Sequence, residues 1–186
     1  MAVLEKPRVA VVGLGNVLME DDAFGPYVVQ VLTSRHELPP EVALLDLGTP
    51  GLDLTPYITD VEALIIVDTV HSQGEPGELR LYHRAEILEH PPQPRLGPHD
   101  PALKEALLLA DLVGRGPREV LLVGVIPDST GTGVGLSPAV REAVPRAVGE
   151  VLAELEELGI RGAPRRAPRP PDIWWEKSGR AAAGTA

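Results

Sequence analysis

The residues best equipped for chemistry are acids and histidines, because the chain contains no cysteine. That absence removes disulfides, thiolate metal sites and cysteine nucleophiles together. Any bound metal must then be held by oxygen and imidazole. Three acids, Glu20, Asp21 and Asp22, follow closely on the turn Gly13-Leu14-Gly15-Asn16. Asp68 closes the apolar run Ala63–Val67, and His99 stands just before the helical pattern that opens at Asp100-Pro101. Two carboxylates and one imidazole, Asp22, Asp68 and His99, make a competent divalent-cation site with positions left for water or substrate. Nitrogen and oxygen donors suit nickel or zinc better than copper(I). The same acids, Asp22 and Asp68, could instead share a proton in aspartic-type catalysis, and residue types alone do not separate the two. Each also has a structural explanation: Asp21 or Asp22 as a helix N-cap, Asp68 as the cap of a turn, His99 as a loop residue between prolines. His71, three residues past Asp68, is the reserve ligand.

Two other chemistries are disfavoured. Gly13-x-Gly15 after a first strand suggests a dinucleotide fingerprint, but Leu18 stands where the third small residue belongs. Asp21 and Asp22 would also repel a pyrophosphate at the helix start. No Gly-x-Ser-x-Gly elbow occurs, and Ser137 ahead of Pro138 reads as a helix N-cap.

These residues need strands and helices to bring them together. Val9–Val12, Val42–Leu47, Ala63–Val67 and Glu119–Val125 are apolar runs of the kind a sheet covered on both faces requires. Leu79–Tyr82 alternates, as an antiparallel edge strand would. Helices are expected from about Pro26, from Leu52 to Ile58, from Pro101 with Leu103, Ala106, Leu107 and Ala110 inward, and from Pro138 to Gly159. Residues 85–98 are expected to form an irregular loop. The expected fold is a three-layer α/β/α sandwich on a mostly parallel, twisted sheet of about five strands, with one antiparallel edge strand. Right-handed crossovers place the strand-to-helix loops at one edge, where open α/β sheets bind ligands.

The expected organisation is a single α/β domain over residues 1–160 and a basic Pro/Arg/Ala-rich tail over 161–186, disordered or lightly docked. The first part carries 11 Lys/Arg against 25 Asp/Glu and the tail 6 against 2. An acidic body with few aromatics excludes nucleic acid as an expected partner. No run approaches the roughly 18 apolar residues of a membrane span, and the N-terminus enters a strand directly, so a cytoplasmic protein without a membrane partner is expected. The tail holds Trp174 and Trp175, a candidate segment for docking a partner or latching an oligomer, whose state the sequence leaves unknown.

The motifs resemble those of the hydrogenase maturation endopeptidases. Gly13-Leu14-Gly15-Asn16-Val17-Leu18 with Asp21-Asp22-Ala23-Phe24-Gly25 is similar to that family's opening motif. So are Asp46-Leu47-Gly48-Thr49-Pro50-Gly51, Ile65-Ile66-Val67-Asp68, Val123-Gly124-Val125-Ile126-Pro127-Asp128 and Gly135-Leu136-Ser137-Pro138 to its later ones, in order over residues 9–157. The resemblance implies a peptidase, metal-dependent or aspartic-like, that removes a C-terminal extension from a nickel–iron hydrogenase large-subunit precursor. It implies nickel, carried by that substrate, recognised by Asp22, Asp68 and His99, with zinc or another divalent cation able to substitute. The alternatives are a nickel-binding chaperone or sensor without cleavage, and a metal-dependent hydrolase on another substrate.

Overall fold

The computed structural model describes residues 6–50, 54–89 and 102–177. Its centre is a five-stranded sheet built from β1 (Val9–Leu14), β3 (Val42–Gly48), β4 (Ala63–Thr69), β5 (Leu79–His83) and β6 (Glu119–Val125), in the order β3-β1-β4-β6-β5. The first four strands across are parallel, and β5 runs antiparallel to β6 at the edge. Two further short strands, β2 (His36–Glu37) and β7 (Ala163–Pro164), pair with each other outside this sheet.

Side chains alternate across the sheet, and the alternation sorts the core into two layers. Val9, Val11, Ile65, Val67, Leu121 and Val123 pack with α1 (Phe24–Arg35) and α5 (Pro138–Glu157). Ala10, Val12, Leu64, Ile66, Val120 and Leu122 pack on the other face with α2 (Thr55–Ile58), α3 (Arg84–Glu89) and α4 (Ala102–Leu112). This is the expected α/β/α sandwich. Ser137 caps α5 with its hydroxyl accepting from Val140 N–H, and Pro138 occupies the first turn. No helix among the described residues is long and apolar enough to cross a membrane.

Two local expectations change. Arg84–Glu89, placed in an irregular loop by its Pro-rich surroundings, is the helix α3. The Glu86 carboxylate accepts the His83 N–H at 2.8 Å, as in a capping box, and Ile87 is buried. The short helix expected from Leu52 begins at Thr55 among the described residues, and residues 51–53 fall outside them.

Helix α1 buries nine of its twelve residues, so it needs cover on more than the sheet side. Part of that cover comes from residues 163–177. Arg165 N–H and Arg169 N–H donate to the carbonyls of Arg35 and Ser34, and the Arg165 guanidinium reaches Thr33 O, so the strap satisfies the end of the helix. From Arg35 back to Tyr27 the helix spans about 12 Å, and the strap runs that distance. There Trp175, only 1% exposed, meets the Tyr27 ring edge-to-face at 5.3 Å. The Trp175 indole N–H finds no acceptor among the described residues.

Candidate functional site

Strand β1 and helix α1 approach each other more closely than side chains would allow. Gly25, in the first turn of α1, lies against the ends of β1 and β4: a Cβ there would sit 2.2 Å from Leu14 O and 2.4 Å from Val67 O. Gly15 bends with φ of 133°, and a Cβ on it would meet Asp22 O at 1.8 Å. These two glycines press the intervening segment over the strand ends. Asn16 contributes its side-chain oxygen to the turn, accepting Leu18 N–H at 3.0 Å. Beyond Gly15, positive φ recurs at Glu20, at 46°.

Glu20–Ala23 forms a single 3₁₀ turn that packs against β4 and holds its two aspartates differently. Asp21 is completely buried and satisfied as an acceptor. Its Oδ2 takes hydrogen bonds from Asp128 N–H (2.9 Å), Ser129 N–H (3.1 Å) and the Ser137 hydroxyl (3.0 Å), and its Oδ1 takes one from Ser137 N–H (2.6 Å). Asp21 therefore clamps the loop after β6 and the start of α5 to the turn after β1. Asp22 is 3% exposed and accepts Asn16 N–H at 3.0 Å. Asp68 is half-buried and accepts Thr69 N–H at 2.7 Å.

Strand order explains why Asp22 and Asp68 share an edge. From β1 the chain enters α1 on one face, whereas the helices following β4 pack on the other. Adjacent parallel strands whose connections part in this way open a crevice at their carboxyl ends. Asp22 follows β1 and Asp68 lies at the end of β4, so both flank that crevice. His99 lies outside the described residues; the helix it precedes, α4, packs on the face that carries Leu64 and Ile66. Among the described residues no three His, Asp or Glu side chains are grouped closely enough to hold a metal ion. His71 is exposed, and His36 belongs to the β2/β7 pair at the far end of α1.

Beside the crevice lies a cleft of about 720 Å³ whose polar lining includes Glu20, Asp128, Ser129, Ser137, Arg141 and Glu176. The glycine-rich loop 129–135 forms one side, fixed to the 3₁₀ turn by Asp21 N–H to Ser129 O (3.1 Å), Glu20 N–H to Gly133 O (3.0 Å) and Gly133 N–H to Leu18 O (3.0 Å). Glu20 also accepts the Ser129 hydroxyl. Where this loop ends at Gly135, the Glu176 carboxylate accepts from Tyr27 O–H and pairs with Arg141. The Arg141 guanidinium sits 5.3 Å above the Tyr27 ring centroid. Sequence patterns did not flag Glu176 or Arg141, since neither belongs to a motif and they meet only through the strap.

Comparison with known proteins decides the family. Residues 26–154 match the family model of hydrogenase maturation proteases. The Hydrogenase 2 maturation protease of Escherichia coli K12 is 35% identical over 161 residues, covering 86% of this chain and 98% of that protein. The chain belongs to the hydrogenase maturation protease family. A hydrogenase expression/formation protein, HupD, of Bradyrhizobium diazoefficiens is 33% identical over 87% of this chain and 84% of its own length. The solved structure of the hydrogenase maturating endopeptidase HybD from E. coli superposes with a TM-score of 0.78 at 34% identity, covering 85% of this chain and 98% of that one. This maturation protease is thus a peptidase on an α/β/α scaffold. Its Asp21 clamps the turn after β1 to the loop after β6 and the start of α5, while Asp22 follows β1 and Asp68 lies at the end of the neighbouring β4.

Proposed function

We propose that this protease removes a C-terminal extension from the large-subunit precursor of a nickel–iron hydrogenase once nickel is in place, and that Asp22, Asp68 and His99 contact that nickel. The observation that carries the reading is the placement of Asp22 and Asp68 around one crevice while the neighbouring Asp21 is consumed by backbone and hydroxyl donors. A carboxylate as nearly buried as Asp22 gains more from an adjacent cation than an exposed one would. The nickel belongs to the substrate, where it supplies a Lewis-acidic centre that marks the precursor as loaded. For hydrolysis, an edge carboxylate of the Asp22/Asp68 pair accepts a proton from the attacking water as the C–N bond of the scissile peptide comes under attack. The proton then passes to the departing amide nitrogen, leaving a new carboxylate and a new amine.

The test mixes the purified chain with a nickel-loaded large-subunit precursor and with the same precursor lacking nickel, and follows chain length by mass spectrometry. The expected result is shortening of the loaded precursor only. Binding without shortening would favour a chaperone role, and shortening that ignores nickel would remove the proposed contact. Zinc or another divalent cation in the precursor tests whether the recognition is selective for nickel.

A further inference from the structure

We infer that the C-terminal strap makes one wall of the substrate-binding cleft, with Glu176 as a specificity-determining residue for the precursor's peptide segment; this rests on the proteolytic reading above. Glu20 and Asp21 line the cleft and immediately precede Asp22 in the same 3₁₀ turn, and we place the peptide along it on its way to the Asp22/Asp68 crevice. One side of the cleft is apolar, formed by Val134, 42% exposed, and Leu136. A charged part of the lining comes from the strap, where Glu176 holds Arg141 over Tyr27. A lining that combines apolar Val134 and Leu136, charged Glu176 and Arg141, and the hydroxyls of Ser129 and Ser137 suits an extended polypeptide, which presents side chains to either side and backbone groups between.

Glu176 holds this wall in shape at two points, on Tyr27 and Arg141, and lies close to Gly135. Its carboxylate reaches Tyr27 of α1 and Arg141 of α5, and a Cβ on Gly135 of the glycine-rich loop would lie 3.1 Å from its Oε1. Trp175, buried on Tyr27, fixes where Glu176 enters. With Glu176 neutralised, the Arg141 side chain loses its ion pair and is free to swing into the cleft and obstruct the peptide.

The experiment measures steady-state cleavage of nickel-loaded precursor by the full chain and by its Glu176→Gln and Glu176→Asp variants, with melting temperatures alongside. KM for Glu176→Gln is expected to rise roughly tenfold, the scale of one lost charge-assisted contact. kcat should fall far less, and Glu176→Asp should recover part of the loss. If wild type does not shorten the precursor, the proposed function fails before this inference is reached. If wild type cleaves and Glu176→Gln keeps its KM, the inference is wrong. A fall in kcat at constant KM also overturns it, because Glu176 would then act on the position of Asp22 instead of on the peptide. Should Glu176→Gln not fold, the same reading is made on Glu176→Asp, where an unchanged KM counts against the wall.

Discussion

Replacing Asp21 by Asn isolates the structural half of the acid pair. The carboxylate accepts one N–H on Oδ1 and two N–H groups plus a hydroxyl on Oδ2, all in a fully buried position. An amide has only one accepting end. In its better orientation the Asn oxygen keeps the three Oδ2 partners, and its NH₂ is turned against Ser137 N–H, donor facing donor. Losing one charge-assisted hydrogen bond costs about 1.5–3 kcal/mol, and leaving the donors unmet in a buried site costs about 1–3 kcal/mol more. A loss of about 3–5 kcal/mol is expected, large against a typical domain stability of about 5–15 kcal/mol. Urea unfolding followed by circular dichroism measures it, with the slope expected to stay constant. A loss below about 1 kcal/mol would refute the account, for the clamp between β1, the loop after β6 and α5 would then not depend on the charge of Asp21.

Asp22→Asn is expected to abolish cleavage of nickel-loaded precursor while keeping the chain folded, with a stability loss smaller than that of Asp21→Asn; mass spectrometry and unfolding curves on the same preparations check both halves. Trp175→Ala removes about 200 Å² of buried aromatic surface, worth about 5 kcal/mol, offset by about 1–3 kcal/mol for its unmet indole N–H. A net loss near 3 kcal/mol is therefore expected in chemical denaturation, and Trp175→Phe should cost much less. Glu154→Gln tests a group whose carboxyl is pushed up, first by desolvation and then by Glu157 and Glu119, against the opposing effect of His83. Because the folded pKa lies above the unfolded one, this group favours the fold below the unfolded pKa, and that contribution is lost as pH rises through the folded pKa. The Gln variant should be slightly more stable than wild type at neutral pH, with the gain vanishing toward pH 4 in parallel melts.

The four parallel strands were legible as largely apolar runs whose alternate residues serve both core layers, as Val120 to Val123 do in β6, whereas the two-residue strands β2 and β7 left no such signal. The antiparallel edge was legible in Leu79 to Tyr82 because one of its faces is solvated. What separates Asp21 from Asp22 was not legible. The two are adjacent and chemically identical, and Asp21 is singled out by donors more than 100 residues away, on Asp128, Ser129 and Ser137. Helix α3 was hidden because one buried residue, Ile87, leaves no periodic signal beside a Pro-rich stretch. The strap was hidden for a related reason, since Trp175 is one anchor in a segment whose prolines and arginines suggest no packing. Its counterpart was visible all the same: α1 is apolar on more sides than a sheet can cover, with Tyr27, Val28, Val29, Val31 and Leu32 all buried. His99 lies outside the described residues, so its place in the ligand set belongs to the proposal.

The strap also sets a timetable for the nascent chain. Tyr27 and Glu176 are 149 residues apart, so on the ribosome the first helix is made long before the segment that covers it. At roughly 5–20 residues per second, its Tyr27 end remains uncovered for about 7–30 s of synthesis. Contacts of such long range also form late for entropic reasons, even after release. A chain halted short of Trp175 would present that patch of α1 to chaperones and would lack Glu176 beside its cleft. Translation past Glu176 thereby becomes a condition for the proposed peptide-binding wall.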